Sequence, residues 1–214
     1  MPESKKHSLL VQALSDKVTP IKVLSYAEAE QLFDFFKKNP LFKWSDVNNN
    51  CENRAEAISL LLGEWNIVHF KAWVVSGSLI RKGGSGYLAN NWKYHVAAIV
   101  PVQEMNDVVY YVIDPATSGN LAMLADWAHS VTHEPFSYHL IKRGDQYIFK
   151  PGKIRKGKWY ERSRQNYKWT MQGLSGINGL SSTGKAYLTF KKNKVQKTAL
   201  KFDMLKKSRP IYFT

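Results

Sequence analysis

The sequence lacks several features that mark common classes of protein. It has a single cysteine, Cys51, among 214 residues, which excludes an intramolecular disulfide and a zinc site built from several cysteines. No apolar run approaches the roughly 18 residues that a membrane-spanning helix needs. The first 25 residues hold only a short apolar patch, LLVQAL, with no small-residue cleavage site after it. We therefore expect neither a signal peptide nor a transmembrane segment in this chain.

Charge is unevenly distributed along the chain, whose formal net charge is +14. Residues 1–134 carry 12 Lys and Arg against 14 Asp and Glu, whereas residues 135–214 carry 19 against 3. Such an asymmetry predicts two regions with different tasks. We therefore divide the chain into an N-terminal tail over 1–19, a core over 20–134, and a basic C-terminal elaboration over 135–214 that packs on the same domain.

Two helices are predicted in the first third of the chain. Ser25 and Glu28 have the spacing of a capping box, and the helix that follows ends at Asn39-Pro40. A second helix begins near Cys51, after three asparagines whose side chains suit a helix N-terminus. Apolar residues recur along it at spacings of three and four, so Cys51 lies in the first turn of a buried helix.

The hydrophobic period then changes to two, which is typical of strands. We predict strands over 68–79, 92–102 and 108–114, with a Gly/Asn loop over 81–91 and a turn over 103–107. Helices followed by an antiparallel meander indicate an α+β fold. The basic region has a weaker pattern, in which 150–169 is predicted as a loop with some helix and short strands are predicted at FSYHLI, QYIF, KAYLTFKK, TALKFDML and PIYF.

Cys51, His95 and Asp114 have the chemistry of a catalytic triad. A thiol at a helix N-terminus faces the positive end of the helix dipole, which lowers its pKa and favours the nucleophilic thiolate. If the hairpin turn centres between Glu104 and Met105, His95 pairs with Asp114 across the strands, and the carboxylate orients the imidazole. We expect the sulfur within about 4 Å of an imidazole nitrogen. The chain order Cys, His, acid is that of papain-like enzymes.

Each of these residues also has an ordinary structural interpretation. A cysteine on an apolar helix stripe is usually a core residue, a histidine in a strand is usually structural, and an aspartate before a proline usually belongs to a turn. The helix-start position of the cysteine and the hairpin pairing together raise the catalytic interpretation to an equal footing with the structural one.

At these residues the sequence resembles the bacterial protein-glutaminases, which deamidate glutamine side chains in proteins. The matching blocks are NNNCENRAEAISLLL, KAWVVSGSL, WKYHVAAIV and YYVIDPA, with LADW downstream. The resemblance covers roughly residues 20–130. It implies a papain/transglutaminase-like core in which Cys51 at a helix N-terminus packs on an antiparallel sheet that carries His95 and Asp114.

The resemblance also implies roles for the residues. Cys51 is the nucleophile, His95 the general base and acid, and Asp114 its orienting partner. The reaction passes through a thioester and needs no metal and no organic cofactor. Trp73, Trp92 and Tyr94 lie on or beside the predicted strands and are candidates for the walls of a glutamine slot, although core packing explains them equally well. The substrate is a protein with an accessible glutamine, and we expect a monomer that is secreted or delivered into another cell.

Other activities stay open at the level of sequence. The same triad serves a transglutaminase, which uses an amine in place of water, and a cysteine peptidase. A degenerate, non-catalytic fold that binds an anionic partner is a third alternative. Asp126, His129 and His133 have the spacing of one helical face, but Pro135 soon follows and short coincidences of this kind are common, so we predict no metal site. GGSG at 83–86 lacks the context of a phosphate loop and is a candidate gating loop.

The basic third mixes lysine and arginine with aromatic residues. This composition suits an acidic protein or an anionic membrane surface, and it equally suits simple solubility. It also occurs in nucleic-acid-binding proteins, but no known nucleic-acid module is present. We therefore consider nucleic acid the less favoured partner.

Overall fold

The structure is a computed structural model that describes residues 23–45, 50–75, 79–82, 86–90, 94–131, 138–147, 160–161, 164–177 and 184–210. Several sequence predictions fall wholly or partly outside these residues. They are the tail over 1–19, two of the three asparagines before Cys51, three of the four residues of the candidate gating loop at 83–86, Trp92, His133, most of the loop predicted over 150–169, and the strand at PIYF beyond residue 210.

The first helix, α1 (Tyr26–Lys38), begins as its sequence predicts. The Ser25 side chain accepts a hydrogen bond from the Glu28 amide, and the Glu28 carboxylate accepts one from the Ser25 amide at 2.8 Å, which satisfies two amides that a helix leaves free. Its buried face is the predicted one, Ala29, Leu32, Phe33 and Phe36. A short 3₁₀ helix, Pro40–Phe42, follows and turns the chain toward the next element.

The second helix, α2 (Cys51–Glu64), begins at the predicted cysteine. The asparagine caps are not confirmed, because Asn50 makes no side-chain cap bond. Almost every residue of α2 is buried, including the charged Arg54 and Glu56. A helix buried on all sides must be covered by more than one layer of structure.

The centre of the fold is a five-stranded sheet with the order β6-β5-β4-β1-β7. Each neighbouring pair is antiparallel. Its strands are β1 (Phe70–Val75), β4 (Tyr94–Glu104), β5 (Asp107–Ile113), β6 (Ala122–Met123) and β7 (Tyr138–Arg143). Helices α1 and α2 pack on one face of the sheet, and α3 (Leu124–Val131) packs on the other. The predicted α+β architecture is therefore confirmed.

The β4–β5 hairpin is shifted by two residues from the predicted register. Ala98 pairs with Ile113 and Glu104 with Asp107, so the turn is Met105-Asn106, and Met105 has a positive φ of 47°. The direct pairing of His95 with Asp114 was thus wrong. Because side chains alternate with a period of two, a two-residue shift keeps both residues on the same face, as diagonal neighbours.

Two further predictions need correction. The Gly/Asn loop over 81–91 is largely a hairpin, with β2 (Leu79–Lys82) paired to β3 (Gly86–Asn90). The strands predicted at KAYLTFKK and TALKFDML are one helix, α5 (Lys185–Lys207). The strands at FSYHLI and QYIF are present in part, as β7 and as β8 (Gln146–Tyr147), which pairs with β9 (Tyr160–Glu161).

The basic C-terminal region contributes to the same core as the rest of the chain. Strand β7 pairs along the whole of β1. Helix α4 (Arg164–Ser175) and α5 cover the side of α2 away from the sheet. They contribute Met171, Leu174 and Phe202 to the hydrophobic cluster that α1 and α2 form with the sheet. Helix α4 approaches α2 at Gly173, where any Cβ would overlap the Asn53 side chain. The Trp65 indole, just after α2, donates a 2.9 Å hydrogen bond to the Lys206 carbonyl.

No helix within the described parts of the chain combines the length and apolarity needed to cross a bilayer.

Candidate active site

Cys51, His95 and Asp114 come together at one end of the sheet. Cys51 opens α2, His95 is the second residue of β4, and Asp114 directly follows β5. Strand β4 runs antiparallel to β5, so the beginning of β4 and the end of β5 meet at this edge. The first turn of α2 packs there too, because Cys51 and Ala55 share a cluster with Trp73, Val75 and Val96.

The imidazole and the carboxylate form a buried hydrogen-bonded pair. His95 Nε2 lies 2.7 Å from Asp114 Oδ2, and both side chains are almost wholly inaccessible to solvent. Burial raises the pKa of Asp114, but the charge and hydrogen bond of His95, the hydroxyl of Thr117 and the charge of Arg54 together hold it below its usual value. An ionised Asp114 can fix the orientation of the imidazole and stabilise its protonated form.

Thr117 and Trp127 complete the surroundings of Asp114. The Thr117 hydroxyl donates to Asp114 Oδ2, and the Trp127 indole N–H donates to the same oxygen at 3.1 Å. The Trp127 ring centre also lies 5.6 Å from that of His95. The donors that surround the carboxylate keep it ionised in a site from which water is excluded.

The thiol of Cys51 lies against the backbone of β4. Alternation along β4 places His95 with Ala97 on the α3 face, whereas Val96 faces α2. The backbone of Val96 hydrogen-bonds the sulfur, so the thiol sits against the strand at the residue that follows His95. The Cys51 thiol and the His95 imidazole therefore belong to neighbouring positions along β4 at this end of the sheet.

The predicted lowering of the thiol pKa is wrong for this conformation. Cys51 is only 5% exposed, and burial raises its pKa well above the usual value. The Glu52 carboxylate, 3.3 Å from the sulfur, adds to this rise through its charge and its hydrogen bond, while Arg54 and the Val96 backbone oppose it. The helix N-terminus favours the thiolate, and burial outweighs that effect.

The charges of Arg54 and Glu52 act on the titratable groups of the site. The positive charge of Arg54 lowers the pKa of both Cys51 and Asp114. The pKa of Glu52 is raised by burial, against the opposing effect of several groups that include Arg54 and His95. Arg54 is held in place by a 3.3 Å hydrogen bond to the Lys43 carbonyl and by the Trp44 ring, 5.5 Å away. The ionisation of Cys51, Glu52 and Asp114 is therefore coupled through the charge of Arg54.

The predicted slot residues have different surroundings. Trp73 is buried beside Cys51, in the same cluster. Tyr94 is half-buried, with its ring centre 5.4 Å from that of Trp73. The Trp73 and Tyr94 rings thus lie together beside Cys51. Trp92 lies outside the described residues.

Only two of the three candidate metal ligands, Asp126 and His129, lie within the described residues. Asp126 and His129 lie on α3, and His133 falls in the undescribed segment after it. Within the described residues, no group of three or more His, Cys, Asp or Glu side chains lies close enough to hold a metal ion.

Sequence reasoning gave no role to Thr117 and did not place Arg54 and Trp127 in the site. Thr117 had a detectable signal, since an aspartate followed three residues later by a threonine is typical of a side-chain-capped turn, and the Thr117 amide does bond the Asp114 carbonyl. An arginine on a helix stripe and a tryptophan in the next helix carry no local signal, because their positions depend on packing.

Comparison with known proteins shows which family and which solved structures this chain resembles. A profile of the glutaminase family matches residues 29–131, which contain Cys51, His95 and Asp114. An NMR structure of protein-glutaminase from Chryseobacterium proteolyticum is similar, with a TM-score of 0.56 and 16% identity over 77% of this chain and 94% of that one. A crystal structure of protein-glutaminase gives 0.57 and 18% over 77% and 93%. A mutant of pro-protein-glutaminase gives 0.59 and 15% over 79% and 64%.

No curated protein matches the sequence. At these identities the structural matches establish a shared fold, and the family profile covers the part of the chain that carries the candidate site. The resemblance predicted from the sequence blocks is confirmed. Residues 29–131 match the glutaminase family, and this match and the shared protein-glutaminase fold support a hydrolase that acts on the carboxamide C–N bond of glutamine.

Proposed function

We propose that this protein deamidates glutamine side chains in other proteins, with Cys51 as nucleophile, His95 as general base and acid, and Asp114 as the group that orients His95. The observation that carries the proposal is the buried His95–Asp114 pair at the sheet edge where α2 begins. The match of residues 29–131 to the glutaminase family supports cleavage of the carboxamide C–N bond of glutamine. The restriction to protein glutamine rests on the proteins named protein-glutaminase that share the fold.

The first half of the reaction forms a thioester. Because burial raises the pKa of Cys51, the resting nucleophile is the neutral thiol. His95 Nε2 bonds Asp114, so Nδ1 is the nitrogen that takes the thiol proton as sulfur attacks the carboxamide carbon. Backbone amides of the first turn of α2 stabilise the oxyanion. The imidazolium then gives its proton to the departing nitrogen, ammonia leaves, and the C–S bond remains.

The second half hydrolyses the thioester. His95 takes a proton from a water molecule as the water oxygen attacks the thioester carbon. The C–S bond breaks, the imidazolium returns the proton to sulfur, and glutamate is released. Asp114 stabilises the charged imidazole in both halves, and a low pKa for Asp114 suits that role because the carboxylate must stay ionised.

The test is mass spectrometry of a glutamine-containing protein after incubation in isotope-labelled water. We expect glutamine converted to glutamate, one labelled oxygen in each new carboxylate, and one ammonia for each conversion. Cys51→Ala is the matched control and should give none of these. Incorporation of an added amine without labelled oxygen would indicate a transglutaminase, and new chain termini would indicate a peptidase. If wild type and Cys51→Ala behave alike, the proposal fails.

A further inference from the structure

The outer face of helix α5 has an unusual combination of exposed residues. The side of α5 that meets the core uses Val195, Ala199, Phe202 and Leu205. The opposite side exposes large apolar residues: Phe190 at 56%, Leu200 at 65% and Met204 at 68%. Near the start of the helix Leu188 is 52% exposed as well. Within the described residues, these are four of the seven large hydrophobic side chains that are exposed.

Lysines lie between these apolar side chains. Helix α5 contains eight lysines and one acidic residue, Asp203. Lys197 and Lys201 project from the same side of the helix as Leu200 and Met204, given 3.6 residues per turn, and both are exposed. Neither forms an ion pair with any residue that the structure describes. Asp203 pairs with Lys206 at 3.3 Å, and Lys206 also lies over the Tyr167 and Phe202 rings.

The charge of this face determines the kind of partner. A surface with this excess of lysine requires an anionic partner, and the exposed Leu, Phe and Met require one that also accepts apolar side chains. Phe190, Leu200 and Met204 lie on the side of this 23-residue helix that faces away from the core. A row that alternates apolar and cationic side chains fits a planar interface with anionic headgroups above acyl chains, because lysine stems can extend to phosphate while the apolar residues insert.

We propose that the outer face of α5 binds the surface of membranes that contain anionic lipid. Phe190, Leu200 and Met204 insert at the boundary between headgroups and acyl chains, and Lys197 and Lys201 contact lipid phosphates. The helix lies on the bilayer and does not cross it. Binding here is separate from the chemistry at Cys51 and does not depend on the proposed reaction.

Vesicle flotation of the full chain tests the proposal. We expect binding to vesicles of phosphatidylcholine mixed with phosphatidylserine and little binding to phosphatidylcholine alone. The variants Leu200→Ser/Met204→Ser and Lys197→Glu/Lys201→Glu should each lower the partition coefficient about tenfold or more, since the first pair removes inserted apolar side chains and the second removes cations near an anionic surface. Met105→Ser and Lys38→Glu, which change exposed residues outside α5, are the matched controls and should bind as wild type.

Three outcomes would overturn the proposal. They are no binding to the anionic vesicles, equal binding to neutral vesicles, and wild-type binding by Leu200→Ser/Met204→Ser. Binding of soluble poly-glutamate that survives the loss of Leu200 and Met204 but not of the two lysines, without vesicle binding, would assign the face to an acidic protein instead. Circular dichroism melting of each variant distinguishes lost binding from lost fold, and deamidation activity at Cys51 should be unchanged in all of them.

Discussion

At the scale of single residues, Asp114 and Cys51 have contrasting surroundings. Asp114 accepts hydrogen bonds from Thr117 and Trp127 as well as from His95, so its orientation is fixed from three directions. Cys51 has a different environment, in which a carboxylate and burial oppose ionisation. In the proposed reaction, the imidazole is held in place before substrate binds, and the thiol loses its proton only during attack because its pKa is raised.

Substitution of the three site residues should have graded effects. We expect Cys51→Ala to abolish deamidation, because no other nucleophile replaces sulfur. His95→Ala should cost nearly as much, since both proton transfers need the imidazole. Asp114→Asn should lower kcat about a hundred- to ten-thousand-fold by loss of the correct tautomer. Ammonia release on a model protein measures each effect.

The control for Asp114→Asn is Asp126→Asn, an exposed aspartate on α3, which should retain wild-type activity. The folded state of each variant is checked by its thermal melting curve. Full activity in Cys51→Ala would remove the enzymatic proposal altogether.

Glu52→Gln should make the thiol more acidic. The Glu52 carboxylate raises the pKa of Cys51 through its charge and its hydrogen bond, and an amide removes the charge while preserving the shape of the side chain. The midpoint of iodoacetamide alkylation should therefore move to lower pH. Cys51 is the only cysteine, so the alkylation signal is unambiguous.

Glu64→Gln is the matched control, because Glu64 is an exposed residue at the far end of the same helix. Its alkylation midpoint should equal that of wild type. An unchanged midpoint in Glu52→Gln would mean that burial alone sets the acidity of the thiol.

At the scale of elements, α2 is joined to β1 by a buried ion pair. The Lys71 ammonium donates to the Glu56 carboxylate, and both side chains are wholly buried. Replacing Lys71 by an apolar residue removes the cation that contacts the buried Glu56 carboxylate. We expect Lys71→Met to lower the free energy of unfolding by about 3–5 kcal/mol, measured by urea denaturation.

A surface pair offers the comparison. Lys38 and Asp34 form a 2.8 Å pair between exposed side chains on α1, and Lys38→Met should change the free energy of unfolding by less than about 1 kcal/mol. The double variant Lys71→Met/Glu56→Leu should recover much of the loss, because it removes both buried charges. If Lys71→Met costs no more than Lys38→Met, the pair does not hold α2 against the sheet.

Elements whose signals are local could be predicted from sequence, and those that depend on packing could not. Helix α1 has its capping box and its apolar stripe within 14 residues, and both predictions held. Helix α5 was predicted as two strands because aromatic and β-branched residues favour strands. Its core-facing residues Val195, Thr198, Phe202 and Leu205 do have helical spacing, and Phe202 is fully buried in the core cluster.

At the candidate site, too, local patterns could be predicted from sequence, whereas properties that depend on packing could not. Residue types and strand alternation placed His95 and Asp114 on one face even though the register was shifted by two. The acidity of Cys51 could not be predicted, because it depends on burial by the surrounding elements and on the geometry of Glu52. Local sequence thus nominates the candidate groups, while tertiary packing determines the pKa of Cys51.

At the scale of the whole molecule, the excess positive charge predicts a dependence on ionic strength. A net charge of +14 should attract an acidic protein substrate during encounter and have little effect on chemistry. Raising salt from about 50 to 300 mM shortens the Debye length from roughly 14 to 6 Å. We expect KM for an acidic protein to rise and kcat to stay constant.

A short neutral glutamine peptide is the control substrate, and its KM should hardly change over the same range of salt. An equal response of both substrates would show that the charge does not recruit substrate. The positive charge would then serve other purposes, such as solubility.

The pairing of β7 with β1 has a consequence for the order in which the chain acquires its structure during synthesis. Strand β1 is made early, yet one of its two neighbours in the sheet is Tyr138–Arg143, and a partner so distant in sequence closes a long loop and forms late. Until then β1 offers an open edge, which invites pairing with other chains. A ribosome that stalls before residue 138 would release an aggregation-prone fragment, even though Cys51, His95 and Asp114 had all been translated.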